Sequence, residues 1–165
     1  MAEYNLPGVS SVEFSFVDPI FLFTQHCNEL HKCGLTLQWD PVKLLHPLTG
    51  ERLYGAGIQC GRLLHAATEN LPSNGKAALL NISWDAGNTG YAGRSASPIC
   101  LQVMNVNASS PKAVGLLGYV PRIQYNTDTK GASEARRHVL QECVAHILDS
   151  IESKARYGFR YVIGV

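Results

Sequence analysis

Asp85 is the residue in this sequence best placed for chemistry: it follows a strand of strong apolar character, residues 78–84, and precedes the glycine-rich stretch Ala86-Gly-Asn-Thr-Gly90. A carboxylate at a strand end is held by the sheet while facing solvent, which is the placement of a Mg²⁺ or Mn²⁺ ligand in phosphoryl chemistry. The competing reading is a turn-initiating Asp whose carboxylate takes a local backbone hydrogen bond. Two-metal catalysis needs further carboxylates around ions about 3.5–4 Å apart. The acidic candidates toward the C-terminus are Asp128, Glu134, Glu142, Asp149 and Glu152, and none ends the expected last strand. Asp85 is therefore the one catalytic and metal-ligating position assigned.

Other reactive side chains give weaker patterns. His26, Cys27, His31 and Cys33 lie close together, with Cys27 and His31 one helical turn apart. His26 points elsewhere and no second ligand pair with finger-like spacing follows, so a buried Cys27 and surface histidines are expected in place of a structural zinc. His138 and His146 read as polar-face residues of a helix. Cys100 and Cys143 sit among apolar neighbours and are expected to behave as small hydrophobes, not nucleophiles. The glycines at 55 and 57 and at 115 and 118 lack the strand, loop and helix order of a phosphate-binding loop, and no small-molecule cofactor is expected.

The elements that must position these residues follow from periodicity. Asp18-Pro19 opens a helix whose Ile20, Phe23, Cys27 and Leu30 share a face, and Gly34 stops it. Residues 35–39 alternate as a half-buried strand. The Pro and Gly spacing of residues 46–55 predicts a turn joining two short extended pieces. Residues 58–70 form a second helix facing inward through Leu63, Leu64, Ala67 and Leu71, closed by the turn at residues 72–75.

Beyond that turn the pattern changes to strands at residues 78–84, 98–106 and 113–120, as in an antiparallel meander. Ser133 then caps a long helix striped by Val139, Leu140, Cys143, Val144, Ile147, Leu148 and Ile151. Gly158 ends it, and residues 159–163 read as a last strand that a right-handed crossover returns parallel to the first. The expected organisation is α+β: an α-rich N-terminal segment with short strands, residues 1–76, followed by a β-β-β-α-β unit over residues 77–165.

Bulk properties narrow the functions. At 165 residues with 45% hydrophobic side chains, the chain can bury a real core. The charged fraction, 16%, is below the usual quarter or so, and some surface is expected to meet partners, with self-association among the options. Fourteen basic and thirteen acidic side chains leave +1, so any DNA contact is local and not the work of a whole-protein field. Five scattered cysteines, an odd number, read as reduced thiols of an intracellular protein. The longest apolar run, residues 20–23, is far below the roughly twenty residues of a membrane span, and no membrane partner is expected.

Three segments in order carry a family resemblance: Asn81-Ile-Ser-Trp-Asp85-Ala-Gly-Asn-Thr-Gly90, Ser97-Pro-Ile-Cys-Leu-Gln-Val-Met-Asn105 and Val114-Gly-Leu-Leu-Gly-Tyr-Val-Pro121. Together they resemble the transposases of Plavaka-type mobile elements, related to the CACTA group. In those proteins a strand ends in the first catalytic Asp, a second carries Pro-x-x-Leu-x-x-x-Asn, and a third ends in Gly-Tyr-x-Pro. The resemblance covers about half of the chain. It implies a ribonuclease H-like fold and an Asp, Asp, Glu set holding two divalent ions, Mg²⁺ or Mn²⁺, for DNA cleavage and transfer. It also implies a nuclear location in a eukaryotic host.

Of that set the first Asp alone maps here, at Asp85. The sequence reaches Val165 before the region of the second Asp and the Glu, and has Ala86 where relatives more often carry a polar residue. The expectation is a fragment or degenerate copy of such a transposase, an incomplete ribonuclease H-like unit inactive alone. A non-catalytic binding or assembly module that pairs through an open sheet edge is the alternative. A hydrolase built on the His and Cys residues is the third and weakest reading.

Overall fold

Asp18 starts the first helix by offering one carboxylate oxygen, Oδ1, to the free N–H groups of Ile20 (2.8 Å) and Phe21 (2.9 Å). The resulting α1 spans Pro19–Lys32. Leu35 N–H bonds back to the Leu30 carbonyl and Gly34 N–H to that of His31, a Schellman closure. Gly34 makes this possible with φ of 71°, which a side chain would strain. These elements belong to a computed structural model that describes residues 13–54, 57–85, 87–88, 95–106, 110–121 and 130–160.

The protein is α+β. After α1 come β1 (Leu44–Leu45) and β2 (Arg52–Leu53), a short 3₁₀ turn at Ile58–Cys60, and α2 (Arg62–Thr68). Then follow β3 (Leu80–Trp84), β4 (Gly87–Asn88), β5 (Ser95–Ala96), β6 (Pro98–Val103), β7 (Val114–Tyr119) and α3 (Lys130–Tyr157). β1 and β2 form an antiparallel hairpin, with Leu44 opposite Leu53. β4 and β5 form another, with Gly87 opposite Ala96. The main sheet has the order β3-β6-β7. Met104 N–H bonds the Leu79 carbonyl and Val120 N–H bonds that of Ser97; each bond joins the residue after one strand to the residue before its neighbour, which requires antiparallel pairs.

By contacts the chain divides into two units. Unit 1 comprises Met1–Leu22, Ser83–Cys100 and Leu116–Tyr161, and unit 2 comprises Phe23–Ile82, Leu101–Gly115 and Val162–Val165. In unit 1 the buried side chains are Phe14, Leu22, Ile99 and Leu117 with Val139, Cys143 and Ile147 of α3. Phe16 bridges Gly118 antiparallel, and Val17 N–H donates to the Leu117 carbonyl at 2.8 Å. A Cβ at Gly118 would stand 2.8 Å from the Ser15 carbonyl oxygen, so this approach admits glycine alone. In unit 2 the core holds Phe23, Cys27 and Leu30 of α1, Leu37, Leu64 of α2, and Leu101 and Val103 of β6.

Several expectations are corrected. Residues 35–39 form no strand: Gln38 instead pairs both its backbone groups with Asn105. The helix expected over 58–70 is broken at Gly61, whose extended backbone (ψ 151°) separates the 3₁₀ turn from α2. Of the α2 side chains expected inside, Leu64 is buried while Leu63, Ala67 and Leu71 are exposed. In α3 the buried stripe narrows to Val139, Cys143 and Ile147, and Leu148 is exposed. The expected last strand fails at Phe159 and Arg160, which are irregular, and its remainder lies outside the described residues.

Candidate functional site

β3 delivers Asp85 to its C-terminal end. The strand closes at Trp84, itself half exposed, and Asp85 follows it as an exposed residue in irregular backbone. This matches the strand-end position read from the sequence. The other acidic candidates are not brought to it by any described contact: on α3, Glu142 lies 4.0 Å from His138, and Glu152 pairs with Arg156 one turn on. Asp128 lies outside the described residues. Among the described residues no three His, Cys, Asp or Glu side chains gather to hold an ion. Asp85 by itself does not satisfy a two-metal site.

The His and Cys candidates part company in the same way. Cys27 is fully buried, and desolvation pushes its thiol up to about 12. Cys143 is fully buried in α3, and burial pushes its thiol up to about 11. Thiols held that far from ionisation are poor ligands and poor nucleophiles at neutral pH. His26 is half-buried and its pKa is lowered, chiefly by desolvation and against the hydrogen bond to the Lys112 backbone; among the described residues its Nε2 has no partner. Cys33 is exposed and accepts from Lys112 Nζ at 2.8 Å.

Two arrangements escaped the sequence reading. Asn105, fully buried, ties together two backbone stretches of unit 2, at Gln38 and at Ala77 to Leu79, through its side chain and carbonyl. The other is a cationic cluster. The guanidinium carbons of Arg52 and Arg62 stand 4.9 and 5.0 Å from the centroid of the Tyr54 ring. Arg52 and Tyr54 are two residues apart on one extended piece and so face the same way, while Arg62 opens α2. The alternation Arg-Leu-Tyr was a visible signal; the arrival of Arg62 was not. No family model, curated protein or solved structure matches this chain.

Proposed function

We propose that this chain is a degenerate ribonuclease H-like module of a mobile-element transposase, keeping one metal-ligating position at Asp85 and unable to cleave DNA alone. The observation that carries the reading is the position of Asp85 directly beyond β3, the first strand of a sheet ordered β3-β6-β7 and followed in the chain by a 28-residue helix. In the intact family such an Asp helps hold Mg²⁺ or Mn²⁺; here its partners would have to come from elsewhere. On this reading DNA is met through local contacts, and the protein works inside the cell, in the nucleus of a eukaryotic host.

A plasmid-nicking assay with Mg²⁺ or Mn²⁺ tests the inactivity. The wild-type chain and Asp85→Asn should both leave supercoiled DNA intact, and metal-dependent nicking lost in Asp85→Asn overturns that part. The ancestry has its own requirement: residues 161–163, beyond the irregular Phe159 and Arg160, must pair parallel to β3. Nuclear Overhauser contacts between that segment and Leu80–Trp84 support it, and a well-ordered segment paired elsewhere removes it.

One observation favours the assembly module as a second reading. β3 has β6 on one side and no strand on the other among the described residues, whereas β7 is met by Phe16. An open edge is a template for another chain. This reading predicts concentration-dependent self-association in sedimentation runs, abolished by Ser83→Pro and indifferent to Asp85→Ala. A monomer at all concentrations rejects it.

A further inference from the structure

The side chain of Arg52, in β2, is part-buried. Its Nε and Nη2 are shielded from water and, among the described residues, have no hydrogen-bond partner. These two nitrogens form one edge of the guanidinium, the edge that grips two oxygens of a carboxylate or phosphate in parallel hydrogen bonds. A shielded edge with neither bond made is unfavourable, because charged donors out of water need acceptors.

A second cation sits close by. Both guanidinium groups lie against the Tyr54 ring, which places their central carbons within about 10 Å of each other. Among the described residues neither arginine is ion-paired with a carboxylate. The Tyr54 phenol is held below its ordinary range, first by a hydrogen bond with Arg62, then, against desolvation, by the charge of both arginines and by a weaker hydrogen bond with Arg52. The cluster therefore concentrates positive charge in a molecule whose net charge is only +1.

We infer that Arg52, Arg62 and Tyr54 form a binding site for a phosphate oxyanion, free or carried on a nucleic-acid backbone. Arg52 supplies the two-donor edge, Arg62 the second charge, and Tyr54 the surface that holds both guanidiniums in place. Phosphate suits the site better than a single carboxylate because it brings more charge and more acceptor oxygens to two cations. β2 fixes the backbone of Arg52, and its long side chain lets the shielded edge turn toward a ligand. The inference is independent of the transposase reading and of Asp85.

The test is a titration of the ¹⁵N-labelled full chain, following the arginine Nε–Hε signals at constant ionic strength. One arm uses inorganic phosphate, the other a short single-stranded oligothymidylate, with sodium chloride as the blank. A saturable shift of Arg52 and Arg62 is expected in at least one arm, weakened about tenfold at Arg52 by Arg62→Gln and lost at Arg62 in Arg52→Met. Arg52→Lys keeps the charge without the paired donors and should weaken binding as well. The arm that saturates at the lower phosphate concentration identifies the source. Arg62 is exposed, so Arg62→Gln leaves the fold intact and keeps the test decisive. No saturable shift in either arm, or equal shifts in wild type and Arg62→Gln, overturns the site.

Discussion

Asn105 shows what a single polar residue does inside this protein. Its Oδ1 accepts from Leu79 N–H at 2.7 Å, and its Nδ2 donates to the carbonyls of Gln38 (3.0 Å) and Ala77 (2.9 Å). Asn105→Ala would strand those three backbone groups out of water, at a cost of about 3 kcal/mol or more; urea denaturation should show the loss as a lower midpoint. Asn105→Asp should do no better, because a carboxylate has no donor for the two carbonyls. His26 gives the other prediction at this scale. Its folded pKa lies below the ordinary 6.5 because burial disfavours the imidazolium. Between that lowered value and 6.5 the unfolded chain therefore binds more protons, and stability falls as pH drops through this window. Urea midpoints measured from about pH 8 down to about pH 5 should decline more steeply for wild type than for His26→Gln. Parallel curves would show that burial at His26 does not couple to folding.

At the scale of elements, what could be read in the sequence is what local periodicity controls. β6 alternates cleanly, with Ile99, Leu101 and Val103 fully buried, and the sheet β3-β6-β7 follows the expected chain order. Asp85 was legible for the same reason, since it stands where a largely apolar strand ends. Residues 35–39 misled because their alternation is genuine while the backbone of Gln38 is paired by the carbonyl and side chain of a residue 67 positions away, a distance no local pattern reports. The Arg52 and Tyr54 pair was readable as alternation, but its meaning depends on how the hairpin and α2 meet. In α3 the sequence offered a broad stripe and packing chose a narrow one, at i, i+4 and i+8. Adjacent residues test this. Ile147 is fully buried and Leu148 is 50% exposed, so Ile147→Ala should cost about 3 kcal/mol and Leu148→Ala under about 1 kcal/mol. Similar losses in thermal denaturation would mean that α3 buries a wider face.

For the whole molecule the question is how chain order relates to folding. Each unit draws on stretches far apart in sequence: unit 2 takes Phe23–Ile82 together with Leu101–Gly115. Within it the bonds of Gln38 to Asn105, and of Lys112 to Cys33, join residues from either side of Lys76. Cutting after Lys76 would leave Asn105 without Gln38 and expose Leu101 and Val103, which are fully buried in the intact chain. That apolar exposure and the unpaired buried amide act in the same direction. Residues 1–76 and 77–165 produced separately should therefore each lack a cooperative thermal transition, while mixing them at high concentration should restore one, as seen by near-ultraviolet circular dichroism of Trp39 and Trp84. A cooperative transition in 77–165 alone would make the turn at residues 72–75 a true folding boundary, and the β-β-β-α stretch a domain that stands without the helix before it.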